Sequence, residues 1–255
     1  FRQGEEPVHR SLGSPKRRPC IFEHVYFARP DSVIDTISVY EMRRRFGVKL
    51  AERWKETGIP VDVVIPVPDS SCTAAGTLAN TLGVEYREGL VKNRYIGRTF
   101  IMAGDGERNS SIRRKLNAIP SQFEGKDVLL VDDSIVRGNT SRQIVELARQ
   151  AGARKVYFAS CAPPVKHVCV YGIDMSTRGE LLAQDRDNEQ IRKFLGADHV
   201  IYQTVEDLTE IALEASPNID GFCMACFDGK YVTEDVTPAM FAHIENSRTA
   251  QHSDG

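Results

Sequence analysis

Apolar and polar positions change period several times along the chain. Short, almost uniformly apolar runs occur at residues 61–67, 128–131, 156–159 and 200–202. Three of them lead into stretches with helical spacing of apolar positions, at residues 73–82, 141–151 and 205–215. A strand with one wet face would alternate apolar and polar residues. Runs that are apolar throughout predict parallel strands covered by helices on both faces, hence a wound α/β sheet. Residues 40–54, ending at Trp54, predict a helix with one apolar face against that sheet.

The same pattern marks borders. Residues 1–19 hold Gly4, Pro7, Gly13, Pro15 and Pro19 among Arg, Lys and Ser, the composition of a linker or extended arm. The expected organisation is a linker or disordered arm over 1–18, one α/β domain over 19–215, and an extension over 216–255 with a flexible end. Interruptions at 93–121 and 216–235, rich in Gly, Arg or Cys, exceed ordinary connections, so chemistry is expected there and at strand ends. The chain opens on Phe1 instead of methionine, which predicts a fragment or a processed product of a longer polypeptide.

Composition narrows the function. With 255 residues, 41% hydrophobic and 27% charged, the chain can bury one substantial core. A formal net charge of -2 and a pI near 6.4 give no field that favours nucleic acid or an anionic membrane. Any bound anion must therefore be held locally. No long apolar run or signal-peptide core is present, and a cytoplasmic location is expected. Six cysteines in a chain of this length do not read as a secreted disulfide framework. The C-x-x-C at Cys223 and Cys226 is by itself open among zinc, iron–sulfur and redox roles. Cys72 and Cys161 read as core residues, and His24, His167 and His199, beside apolar residues, as satisfied packing groups.

The most informative segment is Val128-Leu-Leu-Val-Asp-Asp-Ser-Ile-Val-Arg-Gly-Asn-Thr-Ser141, a strand that runs into two acids and then a small-residue turn opening a helix. In open α/β sheets that is where ligands bind. Main-chain amides of Arg137, Gly138, Asn139, Thr140 and Ser141 could cradle a phosphate at the helix N-terminus, and Gly138 would let the backbone approach closely. The plainer alternative is that Asp132 and Asp133 end a strand and Thr140 caps a helix. A second strand–turn–helix, Val63-Val-Ile-Pro-Val-Pro-Asp-Ser-Ser-Cys72, contains Ser70 and Ser71, which taken alone read as a routine N-cap. A third segment, Val91-Lys-Asn-Arg-Tyr-Ile-Gly-Arg-Thr-Phe-Ile101, concentrates Lys92, Arg94 and Arg98 around Gly97. It is either a solvated basic surface or a flexible loop that neutralises a diphosphate.

The first of these strings resembles the phosphoribosyl-pyrophosphate signature of type I phosphoribosyltransferases. The third, together with Cys20-Ile-Phe-Glu-His-Val-Tyr-Phe-Ala-Arg-Pro-Asp-Ser32, resembles the amidophosphoribosyltransferase family within that fold, and the likeness extends from Pro19 to Val232. Departures are small: Ile96, Asn139 and Ala103-Gly-Asp replace commoner residues, and no charged group is lost.

The resemblance implies a type I phosphoribosyltransferase fold, a mostly parallel sheet with helices on both faces and a C-terminal Cys-containing segment. It also implies transfer of ammonia onto 5-phosphoribosyl-1-pyrophosphate with release of pyrophosphate, in purine synthesis. By the same resemblance Asp132 and Asp133 engage the ribose hydroxyls and Mg2+, with Ser70 also at the metal. Ser70 and Ser71 meet the pyrophosphate, Arg137 to Ser141 hold the 5-phosphate, and Lys92, Arg94 and Arg98 assist the leaving group. Cys20, Cys169, Cys223 and Cys226 occupy the positions that ligate a 4Fe-4S cluster in one branch, where they would tie a first strand, the 163–170 loop and the C-terminal segment together. Purine nucleotide inhibitors and a homo-oligomer, often a tetramer, are implied as well. Nothing before Cys20 resembles the family's glutaminase domain, so free ammonia is the expected nitrogen source. A nucleobase transferase and a non-catalytic regulator are the rivals; the first would need a hood shaped to a base, the second a DNA-binding module or an altered acid pair.

Overall fold

The computed structural model describes residues 17–93, 116–173, 177–215, 219–233 and 235–242. A helical turn at Glu23–Phe27 and a short hairpin of β1 (Val33–Ile34) and β2 (Ile37–Ser38) lead into α1 (Val39–Glu56). Then follow β3 (Val63–Pro66), α2 (Cys72–Leu82), β4 (Glu85–Tyr86), β5 (Leu90–Lys92), β6 (Leu116–Ala118) and α3 (Pro120–Phe123). The remainder comprises β7 (Asp127–Asp132), α4 (Asn139–Gln150), β8 (Lys155–Ser160), α5 (Asn188–Leu195), β9 (His199–Tyr202), α6 (Val205–Ala215) and α7 (Ala225–Asp228).

Five strands form the central sheet in the order β4-β3-β7-β8-β9, and every neighbouring pair is parallel. Successive side chains leave a strand on opposite faces, and each face has its own core. Val64, Leu129, Val131, Tyr157, Ala159 and Ile201 pack with α1, α2 and α6. Val63, Ile65, Val128, Leu130, Val156, Phe158, Val200 and Tyr202 pack with α4 and α5. The uniformly apolar runs thus have the predicted cause, burial on both sides. Outside this sheet, β5 and β6 form an antiparallel ribbon, Leu90 opposite Ala118 and Lys92 opposite Leu116.

Elements that pattern did not predict are short or were masked by polarity. Strands β4, β5 and β6 have only two or three residues, too few to show a period. Helix α5 has eight residues, with Ile191 and Leu195 its buried positions. Its start was nonetheless written in the chain: Asp187 accepts from Gln190 N at 2.7 Å while Gln190 Oε1 accepts from Asp187 N at 2.9 Å, and Gly196 closes the helix at φ 72°.

Two expectations need correction. Cys20 does not lie in a strand: it makes one isolated parallel bridge to Cys223 and precedes a helical turn. His24 is fully buried but not satisfied, since neither ring nitrogen has a hydrogen-bond partner. Burial and the nearby Arg43 charge lower its pKa to about 4, so the ring packs as a neutral group edge-on to Phe222.

The 222–227 segment is part of the core. Phe222, Met224, Cys226 and Phe227 are buried in the α1/α2 core. Cys223 N donates to Pro19 O at 2.8 Å, and Lys166 N and His167 N both donate to Cys226 O at 3.0 Å. Three stretches distant in sequence are therefore stitched by main-chain bonds.

Helices α1 and α2 touch closely at Gly47, where an added Cβ would lie 2.3 Å from Ala74 O. Ala in place of Gly gains about 1 kcal/mol of helix propensity, but overpacking against a backbone carbonyl costs about 1–3 kcal/mol. Gly47→Ala is expected to lower the melting temperature, and a melting temperature equal to or above wild type would show that the two helices can separate without loss.

Candidate active site

The sheet order makes one crevice. From β3 the chain passes outward to β4 on one side, while β7 lies on the other, so the carboxyl ends of β3 and β7 flank the point where strand order reverses. Pro66 is in register with Val131, and Val67 N donates to Val131 O at 2.8 Å. The turns after the two strands, expected separately from sequence, are thereby brought side by side. Ser70 Oγ closes the junction by donating to Asp133 Oδ2. The peptide between Pro68 and Asp69 in this turn is cis.

Asp132 and Asp133 are each 8% exposed. Asp133 N donates to Asp132 Oδ1 at 2.9 Å, and Ser134 Oγ to Asp133 Oδ1 at 2.7 Å. Burial raises both carboxyls above the usual carboxylate range; the negative charge of Asp133 pushes Asp132 further up. For Asp133 the hydroxyls of Ser70 and Ser134 and the Arg43 guanidinium act in the opposite direction. Two adjacent buried acids disfavour full ionisation until a cation or hydroxyl donors arrive. Their hard oxygens, with the Ser70 hydroxyl, fit Mg2+. Mg2+ is commonly bound through one or two carboxylates, with substrate phosphates and water at its other positions.

Arg43 is a residue that sequence reasoning missed. It is 3% exposed, and its guanidinium donates to the carbonyls of His24, Tyr26 and Ala28 at 3.0, 3.1 and 2.8 Å. Its position between Met42 and Phe46 on the buried stripe of α1 was the available signal.

The turn after the acids runs to Gly138, which precedes α4 at φ 78°. No side chain caps this helix, so Thr140 is not a cap, and the first-turn amides are left for an anion. Asn139 and Thr140 are exposed, whereas Ser141 is buried. Arg137 reaches Glu180, with Nη2 to Oε2 at 3.2 Å. Lys92, at the end of β5, meets the neighbouring turn through Asp69 Oδ2 at 3.0 Å. Ser71 turns inward, 1% exposed with its hydroxyl donated to Val67 O; its side chain builds the turn and does not face the crevice. Arg94 and Arg98 lie outside the described residues. A separate cavity of about 370 Å³ beside β9, lined by Arg53, His199, Gln203 and Phe227 among others, includes none of these groups.

The cysteines form a second cluster. Burial raises the Cys20 thiol to about 11, with Cys223 and Cys169 adding to the rise. Burial likewise raises Cys226, and Cys20, Cys223 and Cys169 all contribute. The four thiols therefore lie within one another's field.

A parallel sheet whose switch point presents a buried acid pair, a serine turn and a glycine-opened helix is the arrangement of the type I phosphoribosyltransferase fold. Residues 47–169 match the phosphoribosyl transferase domain family. The amidophosphoribosyltransferase of Pseudomonas aeruginosa is 55% identical over 248 residues, covering 96% of this chain and 50% of that protein. Its Escherichia coli counterpart is 48% identical over 250 residues, with 96% and 49% covered. Among solved structures, the glutamine phosphoribosylpyrophosphate amidotransferase of B. subtilis, complexed with ADP and GMP, superposes with a TM-score of 0.79 at 44% identity, covering 92% of this chain and 51% of that one. The chain belongs to the amidophosphoribosyltransferase family and carries its phosphoribosyltransferase fold. It spans about half the length of the curated relatives it matches.

A Cβ at Gly138 would meet Leu182 Cδ2 at 2.5 Å and Phe194 Cε1 at 3.0 Å, in a backbone region that side chains avoid. Gly138→Ala is expected to cost about 1–3 kcal/mol of stability. Chemical denaturation checks this, and an unchanged midpoint would mean that the turn relaxes freely.

Proposed function

We propose that this chain performs the transfer step of amidophosphoribosyltransferase: ammonia displaces pyrophosphate from C1 of 5-phosphoribosyl-1-pyrophosphate with inversion, giving 5-phosphoribosylamine for purine synthesis. The observation that carries this reading is the Ser70–Asp133 bond, which joins the two strand-end turns around the buried acid pair and beside an uncapped helix. Ribose hydroxyls donating to Asp132 and Asp133 would relieve the unfavourable burial of two carboxylates. The 5-phosphate would lie on the first-turn amides of α4, from Asn139 to Ser141, with Arg137 and Gly138 shaping the approach. Lys92, already at the serine turn, would neutralise the departing diphosphate, assisted by Arg94 and Arg98. Mg2+ held by Asp132, Asp133 and Ser70 would supply positive charge to the leaving group. Catalysis is then mostly positioning and electrostatics, with no covalent enzyme intermediate.

In this reading ammonia comes from glutamine in the full-length enzyme, and purine nucleotides inhibit by occupying the ribose phosphate site or its neighbourhood, as the ADP and GMP complex of the B. subtilis relative suggests. A cytoplasmic homo-oligomer, such as a tetramer, belongs to the same reading. Cys20, Cys169, Cys223 and Cys226 are proposed to hold a 4Fe-4S cluster in a structural role, a reading supported by four thiols near enough to act on one another electrostatically.

Pyrophosphate release with ammonia and magnesium tests the reaction against a panel of nucleobases, and ammonia alone should serve. Asp133→Asn is expected to lower turnover by about 100-fold, the scale of one lost transition-state contact; an unchanged ammonia-dependent rate refutes the assignment. Anaerobically purified protein should contain iron and show a broad visible absorption band, both lost in Cys226→Ser. Iron-free, colourless wild type would remove the cluster.

A further inference from the structure

The segment that follows the 161–173 loop bears directly on the phosphate turn. Thr177 precedes one 3-10 turn, Arg178–Glu180, and Glu180 folds back over it. Thr177 N and Thr177 Oγ1 both donate to Glu180 Oε2 at 2.9 Å. The same carboxylate accepts from Arg137 Nη2 at 3.2 Å. Two residues later Leu182 N donates to Val136 O at 2.9 Å, and Leu182 Cδ2 fills the space where a Cβ on Gly138 would lie, 2.5 Å away. Val136, Arg137 and Gly138 are thus each held from the same short segment: one by a main-chain bond, one by a charge-assisted bond, one by packing.

The Arg137 and Glu180 side chains are 35% and 36% exposed, so water screens the pair in part and its Coulomb energy is modest. Geometry is the larger effect. A carboxylate aimed by two Thr177 donors can hold a planar guanidinium in one orientation, and a turn ordered before ligand arrives avoids the entropy of ordering it on binding. Like charge prevents the carboxylate itself from binding a phosphate.

We propose that Glu180 is a positioning residue for the 5-phosphate of the substrate: it contacts no ligand, and it fixes Arg137 and the 136–138 turn so that the α4 amides stand preformed. This role rests on the phosphoribosyl-pyrophosphate reading given above.

Ribose 5-phosphate, which carries the 5-phosphate without the diphosphate, separates the two. It is titrated calorimetrically beside 5-phosphoribosyl-1-pyrophosphate with magnesium. Glu180→Ala is expected to weaken both ligands by the same factor, about tenfold, the scale of one hydrogen bond to a charged group. KM should rise by that factor while kcat stays close to wild type, the split that a loss of uniform binding gives. Glu180→Gln, which keeps an acceptor oxygen, should recover most of the affinity, and in an Arg137→Gln background Glu180→Ala should cost little more. Unaltered ribose 5-phosphate affinity, additive losses in the double variant, or weakening confined to the diphosphate ligand overturns the role. Should Glu180→Ala not fold, Thr177→Val makes the same comparison, since it removes the hydroxyl donor that aims the carboxylate. A wild-type chain that binds ribose 5-phosphate but releases no pyrophosphate with ammonia sinks the proposed reaction and leaves the role of Glu180 intact.

Discussion

Two carboxylates buried side by side at the end of one strand are the constraint around which this molecule is arranged. Water cannot reach them freely, and each disfavours the charge of the other. The fold offsets part of that cost with hydroxyls from Ser70 and Ser134 and with the buried Arg43 guanidinium. It does not offset all of it. Both acids remain raised, which leaves a local demand for positive charge and hydrogen-bond donors that a magnesium-bound sugar diphosphate would meet.

That demand explains the surrounding architecture. A parallel sheet brings several carboxyl strand ends to one edge, and reversal of strand order between β4-β3 and β7-β8-β9 opens a gap there. The serine turn after β3 and the glycine-opened turn after β7 fill the sides of the gap. Each is braced from behind: Ser71 bonds to Val67 below one turn, and the 180–182 segment holds the other. Preformed walls of this kind lower the cost of ordering on binding.

The Cys20, Cys169 and Cys223–Cys226 segments pack against the α1/α2 core. Arg43 links the two regions, since the carbonyls it binds belong to the turn just after Cys20 while its charge acts on Asp133. The C-terminal stretch is consequently a structural partner of the α1/α2 core, with Phe222, Met224 and Phe227 buried in it.

The chain by itself determined the parallel sheet and its main helices, because burial on both faces forces short, uniformly apolar runs, and these alternate with stretches of helical spacing. It also determined the acid pair and the Gly138 turn, because strand, acids and glycine are contiguous and their chemistry is local. Tertiary structure alone decided which side chains turn inward, as Ser71 does, and which distant ones meet, as Ser70 meets Asp133 and Glu180 meets Arg137. It decided that Cys20 enters a helical turn, and that His24 is buried without partners. The short strands β4 to β6 also escaped the sequence pattern. The physical reason is common to all of these: a period needs several residues to declare itself, and a contact between segments far apart in sequence is set by packing, which leaves no local signature.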